Sequence, residues 1–179
     1  MSRNLNLLGT LSLAVADRVR GATQSEAQAA GEGPAALVAL TTFLERPTIQ
    51  ELSGVLGLTH SATVRLVDKL EARGLTERRP TADRRAVAIV LTPGGRAAGL
   101  RVLAARERIL GELLAPLSPA ERTELTRLHE RLLAGLVGAG AEPTRVCRMC
   151  EPVACGHEVG LCPVTEAARR RRAQLTSSG

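Results

Sequence analysis

Four cysteines crowd into the stretch Cys147-x2-Cys150-x4-Cys155-x-His157-x4-Cys162-Pro163, and no other cysteine occurs in the chain. Cysteines scattered along a chain staple small secreted folds, whereas one tight cluster in an otherwise cysteine-free chain reads as a metal or redox site. Four thiols and an imidazole this close can surround one ion without help from the rest of the fold. Zn²⁺, borderline-soft and content with a closed tetrahedron, prefers such S and N donors. Cys147, Cys150, Cys155 and Cys162 are the first-choice ligands, with His157 as the alternative ligand, either replacing one thiolate or standing behind one. Gly156 and Gly160 supply the turns that a short loop needs to wrap an ion. An iron–sulfur cluster is the alternative occupant, since a proline after the last cysteine also borders such clusters, although the spacing departs from the common ferredoxin runs. A dithiol redox switch is the third reading. The residues around the cluster carry few large apolar side chains and would not hold a fold without such a clip. Zinc would mainly stabilise, whereas an iron–sulfur or dithiol site would change charge and geometry on oxidation and serve as a sensor.

A second set of residues suits a different chemistry. From Thr48 to Thr92 the pattern predicts a short helix (Ile49, Leu52, Val55 and Leu56 on one face), a turn at Gly57, and a second helix with Leu66, Val67 and Leu70 inward. Thr59 or Ser61 can cap that helix, and Gly74 closes it. The same spacing turns Thr59, His60, Ser61, Ala62 and Arg65 outward at its N-terminal end, where a recognition helix meets base edges. A hairpin follows, with Arg78, Arg79, Arg84 and Arg85 near its tip. Helix, turn, helix and basic hairpin describe a winged helix that grips duplex DNA.

Those sites need elements to hold them. The sequence predicts an N-terminal helix from Asn4 to about Arg20 that continues through Ala30 or breaks earlier, then a helix Pro34 to Leu44. Thr92 caps a long helix of about Gly94 to Leu117. Ser118-Pro119-Ala120-Glu121 is a capping box opening a last long helix to about Val137. Leucines run along both long helices, more apolar surface than a small winged helix can cover, so a second copy is expected to cover it. The fold class is mainly α with a small β-hairpin wing, a winged helix-turn-helix flanked by long dimerisation helices. The divisions fall at 1–33 (dimerisation helix and linker), 34–96 (DNA-binding domain), 97–140 (dimerisation helices) and 141–179 (cysteine-rich extension and basic tail). Arg169 to Arg172 read as a solvated, frayed end, or as further phosphate contacts.

The totals agree with an acidic partner: net charge is +6 and pI about 10.3. Between Arg46 and Arg96 nine basic residues face five acidic ones. With one Phe and no Trp or Tyr, the chain lacks the aromatic platforms on which single-strand and RNA readers stack bases. Arg3, the apolar run Leu5 to Val15 and Ala14-Val15-Ala16 resemble a secretory signal. Leu5, Leu8, Leu11 and Val15 on one helical face favour an amphipathic helix instead, and with it a cytoplasmic protein. No run reaches the 18 or so apolar residues of a membrane span. No Ser/His/Asp set or glycine-rich phosphate loop is present, so no enzymatic activity is expected. His60 is read beside phosphate or at the helix cap, and His129 as a surface or interface residue.

LSGVLGLTHSATVRLVDKLEARGLTERRP followed by DRRAVAIVLTPGGR resembles the MarR family of multiple-antibiotic-resistance-type regulators, over roughly residues 4 to 137. The resemblance implies a dimer built on the first and last helices, a recognition helix in the major groove and a wing arginine in the minor groove. It places Arg85 in the minor groove with Asp83 orienting it, and Ser61, Thr63 and Arg65 at groove contacts. The full DNA-facing set expected is Thr59, His60, Ser61, Ala62, Thr63, Arg65, Lys69, Arg79, Asp83, Arg84 and Arg85. The wing between Arg79 and Asp83 is about one residue shorter than the common pattern. No effector pocket is legible, although family members often bind a small molecule between reader and dimer helices. The expected function is a dimeric transcriptional regulator, a repressor, on a pseudo-palindromic operator, with a small-molecule or redox effector. The alternative is a thiol redox-sensing or metal-handling protein whose winged helix docks a protein.

Overall fold

Side chains that take over the free N–H groups of helix starts set the punctuation of this chain. In the computed structural model, which describes residues 2–81 and 87–177, Ser2 opens α1 (Arg3–Ala27), and α2 (Gly33–Thr42) starts with Pro34 in its first turn. Thr48 opens α3 (Ile49–Leu56) and Thr59 opens α4 (His60–Ala72). The hairpin β1 (Thr76–Pro80) and β2 (Val87–Leu91) leads to Thr92, which caps α5 (Pro93–Leu114). Ser118 opens α6 (Pro119–Gly138), and two further helices follow, α7 (Pro143–Val146) and α8 (Pro163–Ser177). The structure is mainly helical with one two-stranded antiparallel hairpin, as expected.

The capping box at Ser118 and Glu121 forms as its sequence predicts. A second capping box stands at Thr48 and Glu51, beyond those expected from the sequence: Glu51 accepts from the Thr48 backbone N–H at 2.7 Å, and Thr48 Oγ1 accepts from the Glu51 N–H at 3.3 Å. Those hydrogen bonds, from the Thr48 backbone first and its hydroxyl second, hold the Glu51 carboxyl below its ordinary value. Because the folded pKa is the lower one, this stabilisation is present above the unfolded carboxylate value and is lost as pH falls through the folded one. Thr48→Ala should cost about 1 kcal/mol, read as a drop in the urea midpoint at neutral pH that narrows on acidification.

The core is aliphatic, as a chain with a single aromatic residue requires. Leu37 and Val38 of α2 stand at its centre against Leu52 and Leu56 of α3, Val67 and Leu70 of α4, Ile89 of β2 and Val102 of α5, all essentially buried. α1 lies along α5, tied by Arg18–Glu112 at 3.0 Å and Arg101–Glu26 at 3.5 Å. The N-terminal stretch is therefore one helix that runs on to Ala27 before Gln28 turns left-handed (φ 49°). Among the described residues no helix is long and apolar enough to cross a membrane.

The hairpin pairs Thr76 with Leu91 and Pro80 with Val87. The outer edge of β2 is partly covered, because the Ile89 N–H donates to the Pro47 carbonyl at 2.8 Å. At the base of the hairpin, the Thr92 hydroxyl donates to the Gly74 carbonyl at 2.6 Å, and its N–H donates to that of Leu75 at 3.1 Å. Wing and long helix are thereby joined at one residue.

The C-terminal tail departs from expectation. Residues read as a frayed end form α8, which packs back on α6 through a small apolar cluster of Val137, Cys162 and Val164. Proline at its first position, Ala167 and Ala168 against α6, and the Glu166–Arg169 pair at 2.6 Å all favour a helix.

Candidate nucleic-acid interface and thiol cluster

α4 turns Thr63, Val67 and Leu70 into the core and leaves its opposite face, with the residues of its N-terminal end, to solvent. Thr59, His60, Ser61, Arg65 and Lys69 are exposed, and Ala62 is half-buried. Thr59 Oγ1 accepts from the Ala62 N–H at 3.2 Å and also lies 3.3 Å from Ser61 Oγ. Among the described residues no carboxylate pairs with Arg65 or Lys69, so both charges face outward.

Thr63 is a correction. Its side chain is fully buried, donating to the Thr59 carbonyl at 3.0 Å and standing 2.9 Å from Ser53 Oγ of α3. It lies four residues before Val67 and seven before Leu70, the spacing of the inward face, and that signal was available in the sequence. Its hydroxyl fixes the angle between the two helices rather than reading a base. Thr63→Val should cost about 1–2 kcal/mol by stripping buried partners from Ser53 and Thr59. A urea titration would show it, and base preference should stay unchanged.

The strand arginines are less free than their number suggests. Arg78 is fastened to Asp68 at 2.5 Å and to Glu71, both on α4. The Asp68 hydrogen bond, above all, keeps its guanidinium charged even more firmly than usual. It positions the wing against the reader. Arg79 is exposed and paired with Glu77 at 2.6 Å, a surface pair weak enough to exchange for a phosphate. Asp83, Arg84 and Arg85 lie outside the described residues.

Beside α2 the structure holds an open cleft of about 540 Å³, lined by Leu40, Thr41, Phe43, Arg46, Leu91 and Arg96 among others. No sequence pattern points to it, because its wall joins residues from α2, β2 and the start of α5.

The cysteines do come together. All four, with His157, line one cavity of about 410 Å³ between the extension and the end of α2, and all four are free thiols. Cys155 and Cys162 lie 3.6 Å apart, sulfur to sulfur. Cys147 is lowered, chiefly because the Cys150 thiol donates to it. Cys150 is raised for the reciprocal reason, with burial adding to it. Burial, and then hydrogen bonding to Cys162, push Cys155 up to about 12. Burial would push Cys162 up too, yet hydrogen bonds from Thr165, Cys155 and His157 bring it down to about 7. His157 is exposed, with Nδ1 3.0 Å from the Thr165 hydroxyl, so it reaches the cluster from behind Cys162. As the side chains stand, no three His, Cys, Asp or Glu groups among the described residues are drawn together around a single ion position.

Two capped helices at a tight turn, a hairpin bonded to both α4 and α5, and long flanking helices define the class: a winged helix. Residues 35–86 match the MarR family. A stretch of 87 residues is 36% identical to the transcriptional repressor MprA of Escherichia coli K12, covering 48% of this chain and 49% of that one, so the match spans about half the length of the curated relative. The structure of RV1404 from Mycobacterium tuberculosis superposes with TM-score 0.62 at 27% identity, covering 79% of this chain and 97% of that one. Apo MarR of E. coli gives 0.57 at 25% identity, covering 70% and 96%. The chain resembles MarR-family regulators in sequence over residues 35–86 and in fold over most of its described length.

Proposed function

We infer that this protein is a dimeric, sequence-specific DNA-binding transcription regulator, acting as a repressor. The observation that carries this reading is the exposed N-terminal turn of α4. Further along the same exposed face lie Arg65 and, in the last turn, Lys69, neither with a carboxylate partner among the described residues, while Arg78 on β1 is tied down to hold the wing. Cations left unpaired along an exposed helix face suit phosphates and base edges. Dimerisation is supported by leucines that the single chain leaves uncovered, among them Leu8 and Leu11 on α1 and Leu132 and Leu136 on α6. A two-fold dimer would set two α4 helices on half-sites about one helical turn apart. Repression follows the named role of the MprA relative.

The test is fluorescence anisotropy of the full chain on DNA from upstream of its own gene, across a salt series. Affinity should fall steeply with salt as lysines and arginines displace counterions. Arg65→Ala and Arg85→Ala should each weaken specific binding by about 1–3 kcal/mol, the range of a well-placed groove contact. Unchanged affinity in Arg85→Ala would remove the wing from the mechanism, and a flat salt series would remove DNA altogether. A reporter behind the same promoter should rise when the protein is deleted; a fall would make it an activator.

A further inference from the structure

We propose that Cys147, Cys150, Cys155 and Cys162 form a tetrathiolate site for one zinc ion, and that the loaded site latches the C-terminal extension onto the turn between α3 and α4. All four thiols line one cavity of about 410 Å³, and the sulfurs of Cys155 and Cys162 are already in contact. A tetrahedral Zn–S bond of about 2.3 Å sets neighbouring sulfurs about 3.8 Å apart, and the Cys155–Cys162 separation is 3.6 Å. Binding draws the four inward, and each thiol that coordinates gives its proton to the solvent.

The extension also needs a staple. Its own cluster has only Val137, Cys162 and Val164 buried, far too little apolar surface to fix some forty residues. One of those three is a proposed ligand, which is 2% exposed and shields the ion from water on that side.

The docking is specific. Arg145 of α7 lies flat over Gly57, so that a Cβ at Gly57 would fall 2.6 Å from its Nε. Gly57 is the left-handed residue (φ 65°) that ends α3 and leads into α4. Two residues on from the first cysteine, Met149 packs into the main core, and Arg148 pairs with Glu32 at the start of α2 at 3.2 Å. The first two thiols are thus embedded in a segment that grips the base of the reader. Holding that segment still holds the turn.

The test uses the full chain, purified under reducing conditions, with metal analysis, chelation, and back-titration with Zn²⁺ or with Co²⁺ as a coloured probe. One zinc per chain is expected, and Co²⁺ should give the spectrum of a tetrahedral thiolate site. Cys150→Ser and Cys162→Ser should lose stoichiometric metal, while His157→Ala keeps it. Hydrogen exchange should show zinc removal stripping protection from residues 143–162 and from Gly57 to Thr59. Arg145→Ala should keep zinc and lose protection only at that turn. Zinc-free protein as isolated, iron with sulfide, or disulfides in place of thiols would each overturn the site. Exchange at Gly57 to Thr59 that ignores zinc would overturn the latch. A fall in DNA affinity on zinc removal rests on the regulator reading. A chain that never binds DNA counts against that reading alone, since metal content and exchange are measured without DNA.

Discussion

Replacing Leu132 and Leu136 together by aspartate should leave a folded monomer that has lost about 100-fold or more of its affinity for a two-half-site operator. The two leucines stand one turn apart on α6, 53% and 54% exposed, and α6 packs mainly against α8, away from the main core. Leu8 and Leu11 of α1 are uncovered in the same way, 46% and 52% exposed. Surfaces of this kind, large apolar side chains repeated on a helix face, mark association sites on soluble proteins. Two aspartates on that face would have to be desolvated beside their two-fold copies, which like-charge repulsion and burial both oppose. Separating the subunits turns one bivalent binding event into two independent ones, and linkage of two sites is worth about 10²–10⁴ in apparent affinity. The core residues of α2 to α5 touch neither leucine, so helical content should hold. Sedimentation and operator titration on the same samples decide the matter. A wild-type chain that sediments as a monomer, or a double variant that still dimerises, removes α6 from the interface.

The sequence and the structure agree where a local rule has one outcome, and part where a contact joins distant segments. Helix starts at Thr59, Thr92 and Ser118 were legible because a hydroxyl before an amphipathic run has few other uses. The thiol cluster was legible because its members are close in sequence. Thr63 falls on a groove position by family resemblance, but its spacing to Val67 and Leu70 sets it on the inward face, where it is fully buried. The fastening of Arg78 by Asp68 and Glu71 was hidden because the partners lie ten and seven residues back, on another element. α8 is not legible because a run of four arginines repels itself, and the apolar face against α6 that offsets this is one valine and two alanines, Val164, Ala167 and Ala168. The docking of Arg145 on Gly57 had no sequence signal at all. It brings together positions 88 residues apart through nothing more than a missing side chain.

A glycine kept for closeness alone, at a backbone conformation any residue adopts, yields the sharpest stability contrast in the chain. Gly95→Ala should destabilise the fold by about 3 kcal/mol, while Gly94→Ala should be neutral or slightly stabilising. Both glycines sit in the first turn of α5, where alanine ordinarily gains up to about 1 kcal/mol in helix propensity. At Gly95 a Cβ would lie 1.8 Å from the Leu75 carbonyl oxygen and 2.8 Å from its carbon. That carbonyl cannot withdraw cheaply, because it accepts from the Thr92 N–H while the Thr92 hydroxyl is bonded to Gly74. At Gly94 the nearest atoms are 3.6 and 3.7 Å away, ordinary contact. The clash would therefore pry α5 from the base of the hairpin, loosening the wing along with the long helix that follows it. Denaturant midpoints of the two variants measure it directly. Equal midpoints would mean that α5 does not begin against the Leu75 carbonyl, and that the wing and the long helix are not joined there.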